Sequence, residues 1–349
     1  MKSNTRNSYI DLIKFIFAIV IVLFHMSGGV FPGGRVAVEG FFMISGYLMM
    51  RTIDRENRES REISAWHFIK HKYCALFPYL LPSILIGYTV ISIRNGRTLT
   101  EHAGSAQLLF TDIIPLKSLG FYSWDAVGIS WYLSAMFFAL FLLYPICRKY
   151  GEKFILNFGI PAILLSYGEL YHVFGAINVT TFTKGSNMPW GLVRGLAGCL
   201  SGCVIWILIR ALSTKRINSF GKTVLLLIEL CAYFLFFYNI QVHPKSEYDY
   251  AAIAAIFVFL TIGISGVTGL WNYYSHPFSK VLGTASTLFV LNHVYWKNLL
   301  SDRFGSGYAR TPKGLILFAL VIITSAAVWG ISLAEKRLAA VIRRKLGEN

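Results

Sequence analysis

Residues 315–334 read LILFALVIITSAAVWGISLA, twenty consecutive residues without one ionisable side chain. A helix crossing the hydrocarbon core of a bilayer needs about 20 apolar residues, and this run meets that length by itself. Working back toward the N-terminus, nine further segments come close to it: about 8–27, 36–52, 73–93, 128–147, 154–172, 191–211, 222–239, 250–269 and 279–299. The first is the shortest in apolar content, since its uninterrupted run from Phe15 to Phe24 covers only ten residues. A short run after Lys2 and Arg6 has the form of a signal-peptide core. No small-x-small cleavage site follows it, and Lys14 lies inside any span drawn there, so the segment reads as a retained helix. The expected fold is all-α: a polytopic integral membrane protein of about ten transmembrane helices, one domain over 1–349, with no appended soluble domain.

Composition agrees with that class. Of 349 residues, 55% are hydrophobic and 14% are charged, against roughly 25% charged in a soluble domain. Lys and Arg number 33 against 17 acids, for a formal charge of +16. In a soluble protein such an excess would suggest nucleic acid, whereas beside apolar spans it marks topology first. With the N-terminus in the cytoplasm, 21 of the 33 basic residues fall in cytoplasmic segments, nine in outer ones, and three (Lys14, Arg194 and Lys297) within spans. The bias puts both termini in the cytoplasm and accounts for the charge without a nucleic-acid partner. The five cysteines lie in or beside apolar stretches at no metal-ligand spacing, and no pair of histidines has a span-consistent set of partners, so neither disulfides nor a metal are expected. The segment 94–127, punctuated by Gly96, Gly104, Pro115 and Gly120, reads as an outer loop with a short re-entrant piece. Arg51 to Glu62 mixes charges as a solvated helix does.

Ionisable groups inside spans are costly unless partnered, and so point to function. The first helix carries Asp11, Lys14 and His25, which the helical period brings to one seam, with Lys14 and His25 about 16 Å apart along the axis. One account is an Asp11–Lys14 pair at the headgroups with a histidine satisfied by a neighbour; the other is a reactive seam. Topology sorts the remaining polar residues by depth: Glu39 near the outer surface, Ser45 and Gly46 near the middle, and Trp131, Tyr132 and Ser134 high in the membrane. Asn292 and His293 share the outer layer, and Arg194 opens the sixth span from that side. Two histidines, a carboxylate and an arginine at one depth suit acid–base chemistry. At the cytoplasmic entrance to the third span, His67-Phe68-Ile69-Lys70-His71-Lys72-Tyr73 reads equally as a positive anchor with an aromatic belt or as a cation cluster for phosphates.

The sequence also resembles a known family. Tyr9-Ile10-Asp11-x-x-Lys14 running into Leu23-Phe24-His25 is similar to the opening helix of the membrane acyltransferase-3 family, O-acyltransferases of bacterial surface glycans. Val38-Glu39-Gly40-Phe41-Phe42-Met43-Ile44-Ser45-Gly46-Tyr47-Leu48 resembles the second-helix motif of that family. Trp131-Tyr132-Leu133-Ser134 with Tyr144-Pro145, Arg194-Gly195-Leu196 and His293 fit its later helices. The resemblance implies ten helices, an acyl-CoA donor on the cytoplasmic side, a glycan acceptor on the outer side, an essential His25 and a supporting Lys14. It also implies R-x-x-R shortly before the third-helix proline; counting back from Pro78, those positions hold Lys72 and Ala75. Lysine keeps a charge without the planar fork of arginine, and alanine removes the second cation.

The function expected is an integral-membrane O-acyltransferase of the cell membrane, an O-acetyltransferase first of all. It would move an acyl group from acyl-CoA, a co-substrate rather than a bound cofactor, to a hydroxyl of an exported polysaccharide or its lipid-linked precursor. Glycan-assembly proteins are the candidate protein partners. His25 would act as base or acyl carrier, Glu39 would orient it, and His293 or Arg194 would stabilise the tetrahedral intermediate. Asp11, Lys14, Ser45 and Trp131 would support the site, while Lys70, His71 and Lys72 would hold CoA phosphates. The rival reading is a transporter or flippase for a lipid-linked sugar or small anion, against which no inverted repeat is visible; a third is a non-catalytic scaffold.

Overall fold

A computed structural model describes residues 7–26, 31–104, 106–177, 179–180, 187–243, 248–271, 278–305, 308 and 311–345. Lys2 and Arg6, part of the signal-peptide argument, lie outside them. The described residues are helical without a strand, and all ten sequence segments appear as helices. They are α1 Ser8–His25, α2 Ala37–Arg58, α3 Ala65–Arg94, α4 Ser130–Phe154, α5 Ile160–Phe174, α6 Trp190–Thr214, α7 Ser219–Val242 and α8 Asp249–Ser265; the ninth segment supplies α9 Phe278–Asn292 and α10 Val294–Phe304, and the tenth is α11 Gly314–Lys345. Seven helices are long and apolar enough to cross a membrane, α4 and α5 counting as one, and α8 is a shorter apolar helix of 17 residues.

Local chemistry sets the helix ends. Asn7 accepts from the amides of Tyr9 and Ile10 to open α1, and Ser64 accepts from that of His67 to open α3, each satisfying donors that a first turn leaves unpaired. The early cap makes α3 30 residues long, about 45 Å at helical rise, so the basic cluster is helical and extends the span. Within the last turn of α4, Gly151 adopts φ 55°, ψ −138° and kinks the helix, a left-handed φ that glycine takes without strain. Helices α4 and α5 fold back as a hairpin, since Trp131 near the start of α4 and Tyr167 late in α5 converge on one cluster.

The ninth segment departs from expectation. The helix over 279–299 is interrupted at the single residue His293, whose φ −93° and ψ −33° stay in the helical region and whose Nδ1 lies 2.9 Å from the Val290 carbonyl and 3.1 Å from that of Phe289. The imidazole takes carbonyls that the ladder would otherwise use, and such competition bends helices.

At the centre, α2 and α6 run parallel with almost no side chain between them. A Cβ on Gly46 would sit 1.9 Å from the Cys199 carbonyl oxygen, and one on Gly202 would sit 2.0 Å from that of Met43. This is the small-residue packing that lets membrane helices approach by van der Waals contact. Phe17 of α1, fully buried, lies over Gly40 and meets Phe41, Phe236 and Phe259.

The long loop folds back over α3 and α4. The Tyr73 hydroxyl donates to the Ile113 carbonyl at 2.6 Å, and Ser118 bridges the Ser134 hydroxyl and the Trp131 carbonyl. Asp112 gathers the amides of Asp125 and Ala126 and the Ser123 hydroxyl at 2.6–2.7 Å. Burial is the largest influence on this carboxyl and raises it above the usual aspartate range, against the pull of those donors.

Gly46→Ala should lower stability by about 1–3 kcal/mol, the usual cost of overpacking, and reduce the melting temperature of the purified protein. Gly168→Ala, where a Cβ meets nothing within 4 Å, is the matched control and should leave it unchanged or higher.

Candidate active site

Two ends of the bundle matter. One carries Arg55, Arg58, Arg61, Lys70, Arg148, Lys153 and Arg210 and is the basic end; the opposite end carries the C-terminus of α1 and the N-termini of α2, α4 and α6. The close α2–α6 contact brings the first turn of α2 beside the first turns of α6. There the Glu39 carboxylate takes Arg194 Nε at 2.5 Å on one oxygen and the Tyr167 hydroxyl at 2.7 Å on the other. Both ions are at most 2% exposed. Arg194 also donates to the carbonyls of Val179 and Arg35, and its guanidinium lies 5.1 Å from the centre of the Trp131 ring. A second buried pair stands nearby: both carboxylate oxygens of Asp249 accept from Arg35 at 2.7 Å, and one also accepts the Ile177 amide.

Beside these pairs lies a cavity of about 250 Å³, lined among others by His25, Phe24, Arg35, Trp131, Tyr132 and Arg194. The folded-back loop roofs it with Lys117 and Asp125, which pair with each other. His25 is half-buried at the end of α1, and its ring centre is 5.0 Å from that of His293. His293 is fully buried behind it and does not line the cavity.

A second cavity of about 210 Å³ adjoins the first and shares Phe41, Ile129, Tyr132 and Val290 with it. Lys14, Ser45 and Lys72 supply polar groups to its otherwise mainly apolar wall. Lys72 also belongs to a third cavity of about 290 Å³ at the basic end, with Arg55, Arg61, His67 and His71. Buried Glu56 forms part of that wall and is held by Arg148 at 2.8 Å and by the Tyr144 hydroxyl. Three cavities thus stand in series from the basic end to His25.

The structure brings His25, Trp131 and Arg194 to one cavity and Lys14, Ser45 and Lys72 to the next, with His71 at the basic end. Glu39 corrects its expected role: its carboxylate is committed to Arg194 and Tyr167 rather than to His25. His293, not Glu39, is the side chain against the His25 ring. Asp11 is buried near the start of α1 and lines none of the three cavities; Lys70 is exposed and lines none either. Ala75 is likewise exposed and away from the cavities. Arg55 and Arg61 line the basic-end cavity together with Lys72. Both sit in the charge-mixed stretch that reads as a solvated helix, and alternation with acids gives no sign of their convergence. Tyr167 gives no such sign either, since nothing in the stretch around it marks this phenol out from Tyr171.

A family model described as an acyltransferase domain matches residues 7–333. The chain belongs to this acyltransferase family. No curated protein and no solved structure matches it. In this membrane acyltransferase the matched region includes all three cavities and both buried ion pairs. Arg194→Ala in the acyltransferase leaves Glu39 buried without its counter-ion, a change that costs about 3–5 kcal/mol. Its folded yield should fall sharply, and Glu39→Met with Arg194→Met should recover much of it; thermal melts of the three proteins make the comparison.

Proposed function

We propose that this acyltransferase is an integral-membrane O-acetyltransferase that moves the acetyl group of cytoplasmic acetyl-CoA to a hydroxyl of a cell-surface or exported glycan, or of its lipid-linked precursor. The reading has the protein in the cell membrane with both termini cytoplasmic, the basic end facing the cytoplasm and the His25 cavity opening outward. The observation that carries it is the series of three adjoining cavities. Arg55, Arg61, His67, His71 and Lys72 offer the basic cavity several cationic or hydrogen-bonding groups for the phosphates of a soluble donor. The middle cavity, mainly apolar with Lys14, Ser45 and Lys72 on its wall, suits a thin flexible arm that carries the thioester inward. Trp131, Tyr132, Phe24 and Phe41 give the last cavity aromatic faces for a sugar ring, with Thr180 to hydrogen-bond it.

The chemistry then meets at His25. A ring nitrogen of His25 takes the proton of the acceptor hydroxyl, and the oxygen attacks the thioester carbon. The tetrahedral intermediate collapses with loss of the CoA thiolate, which leaves with the proton from His25 as free thiol. The oxygen–acyl bond is made and the carbon–sulfur bond broken, with no bound cofactor consumed.

His25→Ala should leave membrane levels unchanged and remove the acetylated glycan, because among the described residues no other imidazole lines that cavity. Mass spectrometry of surface glycans from cells with the wild-type and variant proteins reads this directly. Full acetylation in the variant would overturn the role of His25. Lys72→Ala should raise the apparent KM for acetyl-CoA with a smaller effect on turnover at saturation. Higher salt should reproduce that loss, since charges at a wet interface are screened. Donor dependence unchanged at low salt would make Lys72 a membrane anchor.

A further inference from the structure

His293 holds the one imidazole nitrogen that, among the described residues, is buried without a hydrogen-bond partner: its Nε2. Buried polar atoms are satisfied with few exceptions, and an orphan inside a native fold calls for a reason. The other nitrogen explains which form the ring takes. Nδ1 faces two carbonyl oxygens of its own helix, Phe289 at 3.1 Å and Val290 at 2.9 Å, so it must carry the hydrogen. In a neutral imidazole this leaves Nε2 as an acceptor lone pair. The break between α9 and α10 fixes the ring in place, and 5.0 Å separates its centre from that of His25. Glu39 does not compete for the position, since it is taken by Arg194 and Tyr167.

The geometry points to His293 as the positioning residue for His25: Nε2 of His293 accepts the hydrogen on one His25 nitrogen and so keeps the lone pair of the other nitrogen turned toward the cavity. This deepens the proposed function and rests on its reading of His25 as the base. The arrangement performs with a neutral histidine what a buried carboxylate does for the histidine of hydrolase triads, namely tautomer and ring orientation. In the structure the bond is not yet closed, as is common for catalytic contacts before substrate arrives. During transfer the acceptor's proton joins the cavity-facing nitrogen of His25 and departs on the CoA thiol. The hydrogen shared with His293 stays on His25 throughout, so His293 undergoes no net protonation.

Two readouts test this. In the full-length protein labelled with ¹⁵N-histidine and held in lipid nanodiscs, the ring-nitrogen shifts of His293 should show hydrogen on Nδ1 and none on Nε2. The His25 ring should show one tautomer in the wild type and a mixture in His293→Phe. A wild-type His293 carrying hydrogen on Nε2, or an unchanged His25 tautomer in His293→Phe, overturns the proposal, whether or not the protein turns over acetyl-CoA. In the kinetic arm, with acetyl-CoA as donor, His293→Phe should lower kcat on the order of 10²-fold or more with KM for acetyl-CoA unchanged. His293→Gln, whose amide oxygen can accept the same hydrogen, should restore part of kcat. Equal kcat in His293→Phe and wild type would overturn it, as would a loss confined to KM. If His293→Phe fails to fold, the wild-type spectrum and the His293→Gln kinetics decide: a Gln variant no better than His293→Ala counts against the proposal.

Discussion

Where α2 crosses α6, backbone meets backbone. Gly46 faces the Cys199 carbonyl and Gly202 faces that of Met43 at distances that exclude even a methyl group, so the two helices are locked in register over several turns. Because they run parallel, the same contact brings their N-terminal turns together, and Glu39 and Arg194 meet there. A carboxylate in the first turn of α2 also sits where the helix dipole favours negative charge. Tyr167 reaches this pair from α5, and Trp131 covers the guanidinium from α4. The wall of the His25 cavity is therefore set by a contact between glycine edges some turns away.

The ion pairs at that end have a common property. Arg194 has Glu39, Arg35 has Asp249 and Lys117 has Asp125, so each cation on the cavity wall is matched by its own carboxylate. Buried pairs of this kind add little to stability compared with apolar packing, yet removing one member is severe. They give the cavity fixed polar walls while leaving His25 outside the ion-pair network. The basic end is richer in cations, with Arg55, Arg61, His67, His71 and Lys72 around a cavity in which Glu56 is already engaged by Arg148 and Tyr144, while Arg61 meets Glu59 at 3.5 Å.

The helices were legible because hydropathy reports how much of a chain is apolar, and ten apolar runs that come close to spanning length have few other uses. Depth was legible for the same reason: with the spans ordered, His25, Glu39, Trp131, Arg194 and His293 had to lie near one level, and they do. Azimuth was not. Which way Glu39 turns depends on the α2–α6 register, set by glycines whose role shows only when the partner backbone is in view. The break at His293 was hidden because it arises from a ring bonding to its own carbonyls, and no proline or glycine marks it. Lys70, His71 and Lys72 are adjacent in sequence, yet helical steps of about 100° send Lys70 away from the cavity that His71 and Lys72 share. Arg55 and Arg61 complete that cavity from another segment, which adjacency along the chain could not reveal.

The side chains shared by the middle cavity and the His25 cavity have a consequence for the bilayer itself. A polar passage through a membrane short-circuits the ion gradients across it unless something interrupts the water. Phe41, Ile129, Tyr132 and Val290 stand between the two cavities, and three of the four are hydrocarbon. A mainly apolar wall of this kind resists wetting, as hydrophobic gates in channels do. On the proposed function it would pass a slender apolar chain more readily than a hydrated ion, and the membrane would hold its potential during transfer.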